Sequence, residues 1–336
     1  MAATIKDVAK HTGLSIATIS KYINGGNVLD KNKKKIEDAI KTLDFRVNEL
    51  ARGLKTNRTM TVGVLILSLE NIFFTSIISS VENVLLQYGY STIICDCRSD
   101  LEIEKAKLDF LVSKKVDGII MVPHGGDVVH IKKALDKNIP IVLIDRMLKN
   151  IECDVVISDN INAAYDAVEQ FIIRGHRRIG IIAGPKKIYT TEERLKGYVR
   201  VHEDYAIGLD GNLIRYGNYD VESGYRILGE LMEMDNPPTG IFVTNYEMTL
   251  GAIMAVNDKN IIIPDEVSLI GFDNIQMARV VKPPLSIVEQ PVKGIGETAA
   301  NVLLKRLSGE NGGIPSIYRL KTEMLIKDSV KTIINQ

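Results

Sequence analysis

Ten residues spread along the chain share a chemistry of grip rather than of bond-making. Asn71, Phe73 and Phe74 stand in "SLENIFFTSI", Asp145 and Arg146 follow "PIVLI", and Arg194 stands in "TTEERLKGY". Tyr219 belongs to "GNYD", Asn245 to "TNYEMTLGA", Asp273 to "GFDN" and Gln290 to "EQP". Aromatic rings stack on the apolar face of a sugar ring, while Asp and Arg make the stronger hydrogen bonds to its hydroxyls. A cleft with apolar walls and few convergent polar groups is the usual form of a small-ligand site. Residues for covalent chemistry do not assemble in the same way. No Gly-x-Gly-x-x-Gly follows a strand, and "GPKK" (184–187) lacks the spacing of a phosphate loop. No serine sits in a nucleophile elbow. The five histidines are scattered without an i, i+4 metal pair, and His176 in "RGHRRIG" reads as structural. The expectation is a binding protein and not an enzyme, with no metal and no cofactor.

Elements that could bring these residues together are legible around them. From about Thr61 the chain alternates apolar runs with helical stretches: "TVGVLIL", "STIICD", "DGIIMVP", "PIVLID" and "DVVISD", then "RRIGIIAG", "LIRYG", "TGIFVT" and "VSLIGFD". That rhythm implies two doubly wound α/β lobes with parallel sheets. In such sheets ligands bind outside the carboxyl ends of the strands, where most of the ten residues fall. A chain of 336 residues is long enough for two or three domains. No apolar run reaches the ~18 residues of a membrane span, and the N-terminus lacks the apolar core of a signal peptide. Three cysteines, two of them in the strand-like "STIICDC", make no disulfide framework, and a reducing cytoplasm fits them.

The front of the chain is built differently. Residues 1–58 hold 12 Lys and Arg against 6 Asp and Glu, whereas the remaining residues hold 30 against 36. A basic front on an acidic body suits a polyanionic partner. In "TIKDVAKHT", Thr4 is an N-cap candidate with Asp7 as an approximate capping box, and Ile5, Val8 and Ala9 share one face. Gly13 supplies the left-handed residue that ends the helix, and Ser15 caps a second helix, 16–23, whose Ile19 and Ile23 face inward. A third helix is expected over 31–43. This is the layout of a helix-turn-helix, whose second helix enters the major groove of DNA.

"TIKDVAKHTGLSIATISKYING" resembles the headpiece of the LacI/GalR family of bacterial repressors, and the resemblance continues along the whole chain. It implies that Ile16 and Ala17 reach base edges, where apolar groups touch thymine methyls but donate no hydrogen bond to guanine. Lys21 would reach a guanine or a phosphate. Thr4, Ser15, Thr18, Ser20 and Asn24 would contact the backbone, which positions the helix without reading sequence. In "DFRVNELARGLKTNRT" the family carries a hinge helix that forms on the operator. Asn48 matches its start, Ala51 its small contact position and Leu54 the wedge that enters the minor groove and bends the duplex. Val47 stands where the family usually has proline, and Gly53 lowers helicity by about 1 kcal/mol relative to alanine.

The ten-residue set is similar, position for position, to the ribose-binding branch of the periplasmic sugar-binding proteins, with Tyr219 in place of phenylalanine. Its added hydroxyl is expected to bond a larger or differently configured ligand than ribose, and the expected ligand is a pentose-like monosaccharide. The resemblance divides the chain into a headpiece (1–46), a hinge (47–60), a first lobe (61–159 with 291–323) and a second lobe (160–290 with 324–336). Three crossovers join the lobes, near Asp159, Gln290 and Met324. It further implies a cytoplasmic repressor that binds a near-palindromic double-stranded DNA operator as a homodimer, through surfaces in 109–120 and 273–288, and contacts no membrane. A small-molecule effector in the interlobe cleft would release it. The alternatives are a phosphorylated carrier protein of sugar uptake as the main signal, or a non-sugar effector such as a nucleobase.

Overall fold

The computed structural model describes residues 3–23, 26–45, 58–273, 275–309 and 313–333, and the chain forms two compact units, Met1–Met60 and Thr61–Gln336. In the first unit, α1 (Ile5–Thr12), α2 (Ile16–Ile23) and α3 (Asp30–Thr42) enclose a core of Val8, Ile19, Ile36 and Ala39, all fully buried. Each buried Ile contributes about 1.5–3 kcal/mol, so this small core depends on very few side chains. Gly13 ends α1 at φ 69°, and its N–H donates to the Ala9 carbonyl, which turns the chain sharply into α2. The Tyr22 hydroxyl donates to Glu37 Oε1 at 2.7 Å and ties α2 to α3.

The second unit holds two six-stranded sheets. The first contains β1 (Thr61–Ile66), β2 (Ser91–Asp96), β3 (Gly118–Met121), β4 (Ile141–Ile144), β5 (Asp154–Ser158) and β11 (Ile317–Leu320), ordered β11-β5-β4-β3-β1-β2 and all parallel. The second contains β6 (Ile179–Ala183), β7 (Ile214–Tyr216), β8 (Gly240–Val243), β9 (Ser268–Phe272), β10 (Ser286–Glu289) and β12 (Glu323–Leu325), ordered β12-β10-β9-β8-β6-β7. Only β12 runs antiparallel there. The two sheets therefore repeat one topology. In each, the first strand lies between the second and third, a switch point that opens a crevice at the carboxyl ends.

Helices α4 (Ile72–Gln87), α5 (Leu101–Ser113), α6 (Val129–Leu135) and α12 (Val292–Ser308) cover the first sheet. Helices α7 (Asn160–Ile173), α8 (Tyr189–Asp204), α9 (Val221–Met232), α10 (Tyr246–Asp258) and α11 (Ile275–Val280) belong with the second. The chain changes sheets after β5, after β10 and between β11 and β12. Two of these passages are stitched together, since the Asp159 N–H donates to the Leu320 carbonyl at 2.8 Å. The last passage falls at 321–322, since Glu323 already pairs with Glu289 in the second sheet.

Part of each stretch expected at a dimer surface is core. Gly118–Ile120 and Ser286–Val288 lie buried in central strands, while Phe110 and Val280, 41% and 76% exposed, present apolar surface. His176 is fully buried, its ring nitrogens meeting Thr239 Oγ1 at 2.9 Å and the Lys331 carbonyl at 3.1 Å, and burial lowers its pKa. That is a structural histidine. The three cysteines are free and buried, and no metal-binding cluster of three acidic, His or Cys side chains occurs among the described residues. No described helix is long and apolar enough to cross a membrane.

Candidate ligand cleft and nucleic-acid interface

The carboxyl ends of the first sheet supply half of the expected ligand set. Asn71 caps α4, its Oδ1 accepting the Phe73 N–H at 2.8 Å, and this cap directs Phe73 and Phe74 to one place. Their rings meet edge to face at 5.3 Å, and both are buried. Asp145 follows β4 in the left-handed region at φ 65°, with its N–H on the Val156 carbonyl. Arg146 donates from Nη1 to the His124 carbonyl at 2.9 Å and the Pro123 carbonyl at 3.3 Å. Its Nε lies 3.6 Å from Asp145 Oδ2, beyond hydrogen-bonding reach, and is buried without a partner.

The second sheet supplies the rest. Arg194 on α8 is buried over the Phe272 ring at 3.8 Å, with Nε donating to Asn160 Oδ1 at 2.8 Å and Nη1 to the Thr244 carbonyl. Asp273 follows β9 at φ 62°, and both its oxygens accept from Gln290 Nε2, at 3.0 and 3.2 Å. The Gln290 Oε1 on the other side is buried with no partner. Asn245 caps α10 by accepting the Met248 N–H at 3.1 Å, and its Nδ2 donates to Glu247 Oε2 at 2.7 Å.

Electrostatics join the two halves. Burial raises the Asp145 pKa, opposed by Arg146 from its own lobe and by Arg194 from the other. Burial likewise pushes Asp273 up to about 6, opposed by Arg194 and Gln290 and reinforced by Asp145. Asp145 of the first lobe and Arg194 and Asp273 of the second are thus near enough for their charges to interact. Asn71 and Asn245 are engaged mainly at the helix ends they cap.

Tyr219 departs from expectation. At φ 62° its ring lies against Gly184, where a Cβ would overlap it, and its hydroxyl bonds Thr191 Oγ1 at 2.7 Å and Thr190 Oγ1 at 3.0 Å. The hydroxyl read from sequence as a ligand group is therefore bonded to the protein itself, and the ring packs on the core of the second lobe. Sequence reasoning also missed Asn160, Thr244 and Glu247. Asn160 and Thr244 act through Arg194, so only the folded chain shows their role. The Glu247 carboxyl is pushed up to about 7 by burial, with Asp273 and Asp220 adding to the shift.

On the first unit, Thr4, Ser15, Ile16, Ala17 and Lys21 are exposed, and Thr18 and Ser20 are half-buried. Ser15 Oγ accepts the Thr18 N–H at 3.2 Å, which starts α2. Thr4 donates both its N–H and its hydroxyl to Asp7 Oδ2, at 2.8 and 2.7 Å. Ala17, Thr18 and Lys21 border a shallow groove with Asn27, Leu29 and Asn32. Asn24, Asn48, Ala51 and Leu54, with Val47 beside them, lie outside the described residues.

A helix-turn-helix unit on a two-lobed binding core defines a class: ligand-responsive regulators that bind DNA. Residues 4–48 match the bacterial regulatory proteins of the lacI family, and residues 168–330 match the periplasmic binding protein-like domain. The HTH-type transcriptional repressor PurR of Histophilus somni (strain 2336) is 33% identical over 334 residues, spanning 98% of this chain and all of that one. A LacI family transcriptional regulator from Enterococcus faecium with bound ribose is 26% identical and superposes with a TM-score of 0.73 over 82% of this chain and all of its own. The lac repressor dimer bound to operator and an anti-inducer shares the fold, at a TM-score of 0.87 and 22% identity over 98% of this chain and all of its own. The chain belongs to the LacI family and is a DNA-binding transcriptional repressor with an effector-binding domain.

Proposed function

We propose that this repressor binds a near-palindromic operator as a homodimer and is released by a pentose-like monosaccharide held between its lobes. The observation that carries the sugar reading is the pair of buried orphan atoms in the cleft, the Arg146 Nε donor and the Gln290 Oε1 acceptor. A buried polar atom without a partner costs about 1–3 kcal/mol, and a hydroxyl, which both donates and accepts, satisfies either one. Asp145 and Asp273, disfavoured as carboxylates by burial, gain further donors from the same ligand. Phe73, Phe74 and the Tyr219 ring supply the stacking walls, with Asn71, Asn245 and Arg194 completing the cage.

On the DNA side, Ile16 and Ala17 meet base edges, Lys21 meets a guanine or phosphate, and Thr4, Ser15, Thr18, Ser20 and Asn24 hold the backbone. Asn48 and Ala51 start and seat the hinge helix, and Leu54 wedges the minor groove. Each subunit carries one reading head, so two-fold operator symmetry calls for a dimer. The ligand binds the closed lobes better than the open ones, closure alters the separation of the paired hinge segments, and operator affinity falls. The role is one of binding, with no catalytic step.

A nucleobase is the second reading. The aromatic walls stack a planar heterocycle as well as a sugar, and the chain is about one-third identical to repressors named PurR. Thermal unfolding over a panel of pentoses, hexoses and purine bases separates the two. A ligand at 100 times its Kd stabilises by about 2.7 kcal/mol. A shift with a pentose that disappears in Arg146→Ala supports the sugar reading. A shift confined to a purine base transfers the cleft to the second reading, and no shift with any of them removes both.

A further inference from the structure

Glu104 is the most deeply buried carboxylate of the first lobe, 1% exposed on α5 and away from the ten residues of the cleft. Its Oε2 accepts the backbone N–H of His124 at 2.5 Å, and its Oε1 meets His130 Nε2, on α6, at 2.7 Å. The His130 side chain is 8% exposed, and its Nδ1 has no partner. A carboxylate so placed is tolerated only where charge and hydrogen bonds compensate it. The residue it grips is the one Arg146 grips from the other side: the His124 carbonyl accepts Arg146 Nη1 at 2.9 Å. One peptide residue is therefore held by its N–H to Glu104 and by its C=O to Arg146.

We propose that Glu104, braced by His130, is a positioning residue of the effector cleft that acts through His124 to hold the Arg146 guanidinium with its Nε facing the ligand. This rests on the reading of Arg146 as an effector contact. The loop that carries the linkage, 122–128, runs from the carboxyl end of β3 to α6, at the mouth of the crevice. Lys105, beside Glu104, is engaged with Glu102 at 2.8 Å and with Asp127 of the same loop at 3.9 Å, so the bond that fixes His124 comes from Glu104 itself. Without it, His124 is free to turn and Arg146 loses one of its two carbonyl anchors.

Glutamine and alanine at position 104 discriminate this role from bulk packing. In Glu104→Gln the amide oxygen still accepts the His124 N–H, and the amide N–H donates to the imidazole in its other tautomer. In Glu104→Ala neither bond remains. The first readout is the Nε–Hε resonance of Arg146 in the full-length protein, identified by its loss in Arg146→Lys. It is expected to move in Glu104→Ala and to stay in place in Glu104→Gln. The second is calorimetric D-ribose affinity, expected to fall about tenfold or more in Glu104→Ala, the loss for one misplaced charge-assisted hydrogen bond. The glutamine variant should stay within about threefold of wild type, and sugar-free operator affinity should be unchanged in both. An Arg146 resonance that stays put in a folded Glu104→Ala protein overturns the proposal. So does a resonance or a ribose affinity that the glutamine variant fails to restore. If Glu104→Ala does not fold, His130→Ala takes its place, with the resonance expected to move the same way by less; no movement overturns the proposal. If D-ribose binds not even the wild type, the pentose reading fails, and the Arg146 resonance alone decides the role of Glu104.

Discussion

Asp273→Asn should make the ligand-free protein more stable and less able to bind its effector. Asp273 is 8% exposed, and its pKa stands at about 6 against an ordinary 3.8, chiefly through burial. A shift of about 2 units corresponds to about 3 kcal/mol held against the native state whenever the group is ionised. The sign follows from proton uptake. Between the unfolded and folded pKa values the native state binds more protons than the unfolded one, so the Asp273 contribution to wild-type stability falls as pH rises from about 4 to about 6 and is flat above. Asparagine removes the charge but keeps one acceptor for Gln290 Nε2, now 3.0 Å away. Giving up the second acceptor, the weaker 3.2 Å arm of a contact with the same Nε2, costs about 1 kcal/mol. The net gain is therefore about 2 kcal/mol above pH 7, worth about 4–8 °C in the midpoint of the binding core, and it vanishes near pH 4. Calorimetric melts of both proteins at pH 5 and pH 8, with D-ribose titrations at pH 8, read all three effects. A variant no more stable than wild type at pH 8, or equally stabilised at both pH values, would refute the reasoning.

Other substitutions probe the remaining parts. Lys21→Ala should weaken operator binding by about 1–3 kcal/mol and relax one base position if Lys21 reads a guanine, or flatten the salt dependence uniformly if it meets phosphate; affinities across single-base operator variants at two salt concentrations tell these apart. Ile19→Ala removes one of four fully buried side chains of the headpiece and should cost about 2–5 kcal/mol there, abolishing operator binding while the core melts at an unchanged temperature. Tyr219→Phe loses the bonds to Thr190 and Thr191 and should cost about 1 kcal/mol of stability, with D-ribose affinity nearly unchanged; a large affinity loss would return the hydroxyl to the ligand.

What could be read from the sequence was what one residue or one short run decides by itself. Gly13 needed a positive φ, Ile19 sat at the spacing of a buried helix face, and continuous runs such as "GIFV" and "SLIGF" could only be buried parallel strands. Edge strands without that signature were read unevenly: β7 stood out in "LIRYG", whereas β11, which alternates exposed and half-buried residues, and the three-residue β12 were missed. The same blindness placed "SIV" on a surface, although β10 is buried between β9 and β12. Within the cleft, residue types were legible but their commitments were not. Nothing local announced that Thr190 and Thr191 would take up the Tyr219 hydroxyl. Nor did anything announce that Glu104 and Arg146, forty-two positions apart, would hold one residue between them.

The central claim is that a ligand in the cleft controls the grip on DNA, and fluorescence anisotropy of a labelled operator tests it most directly. Operator affinity of the wild type and of Arg146→Ala would be measured with and without saturating D-ribose at fixed salt. The account predicts equal affinities without sugar, a loss of about 5–150-fold on adding sugar to the wild type, and no response in Arg146→Ala. A wild type that binds the sugar yet holds its operator with unchanged affinity would contradict it.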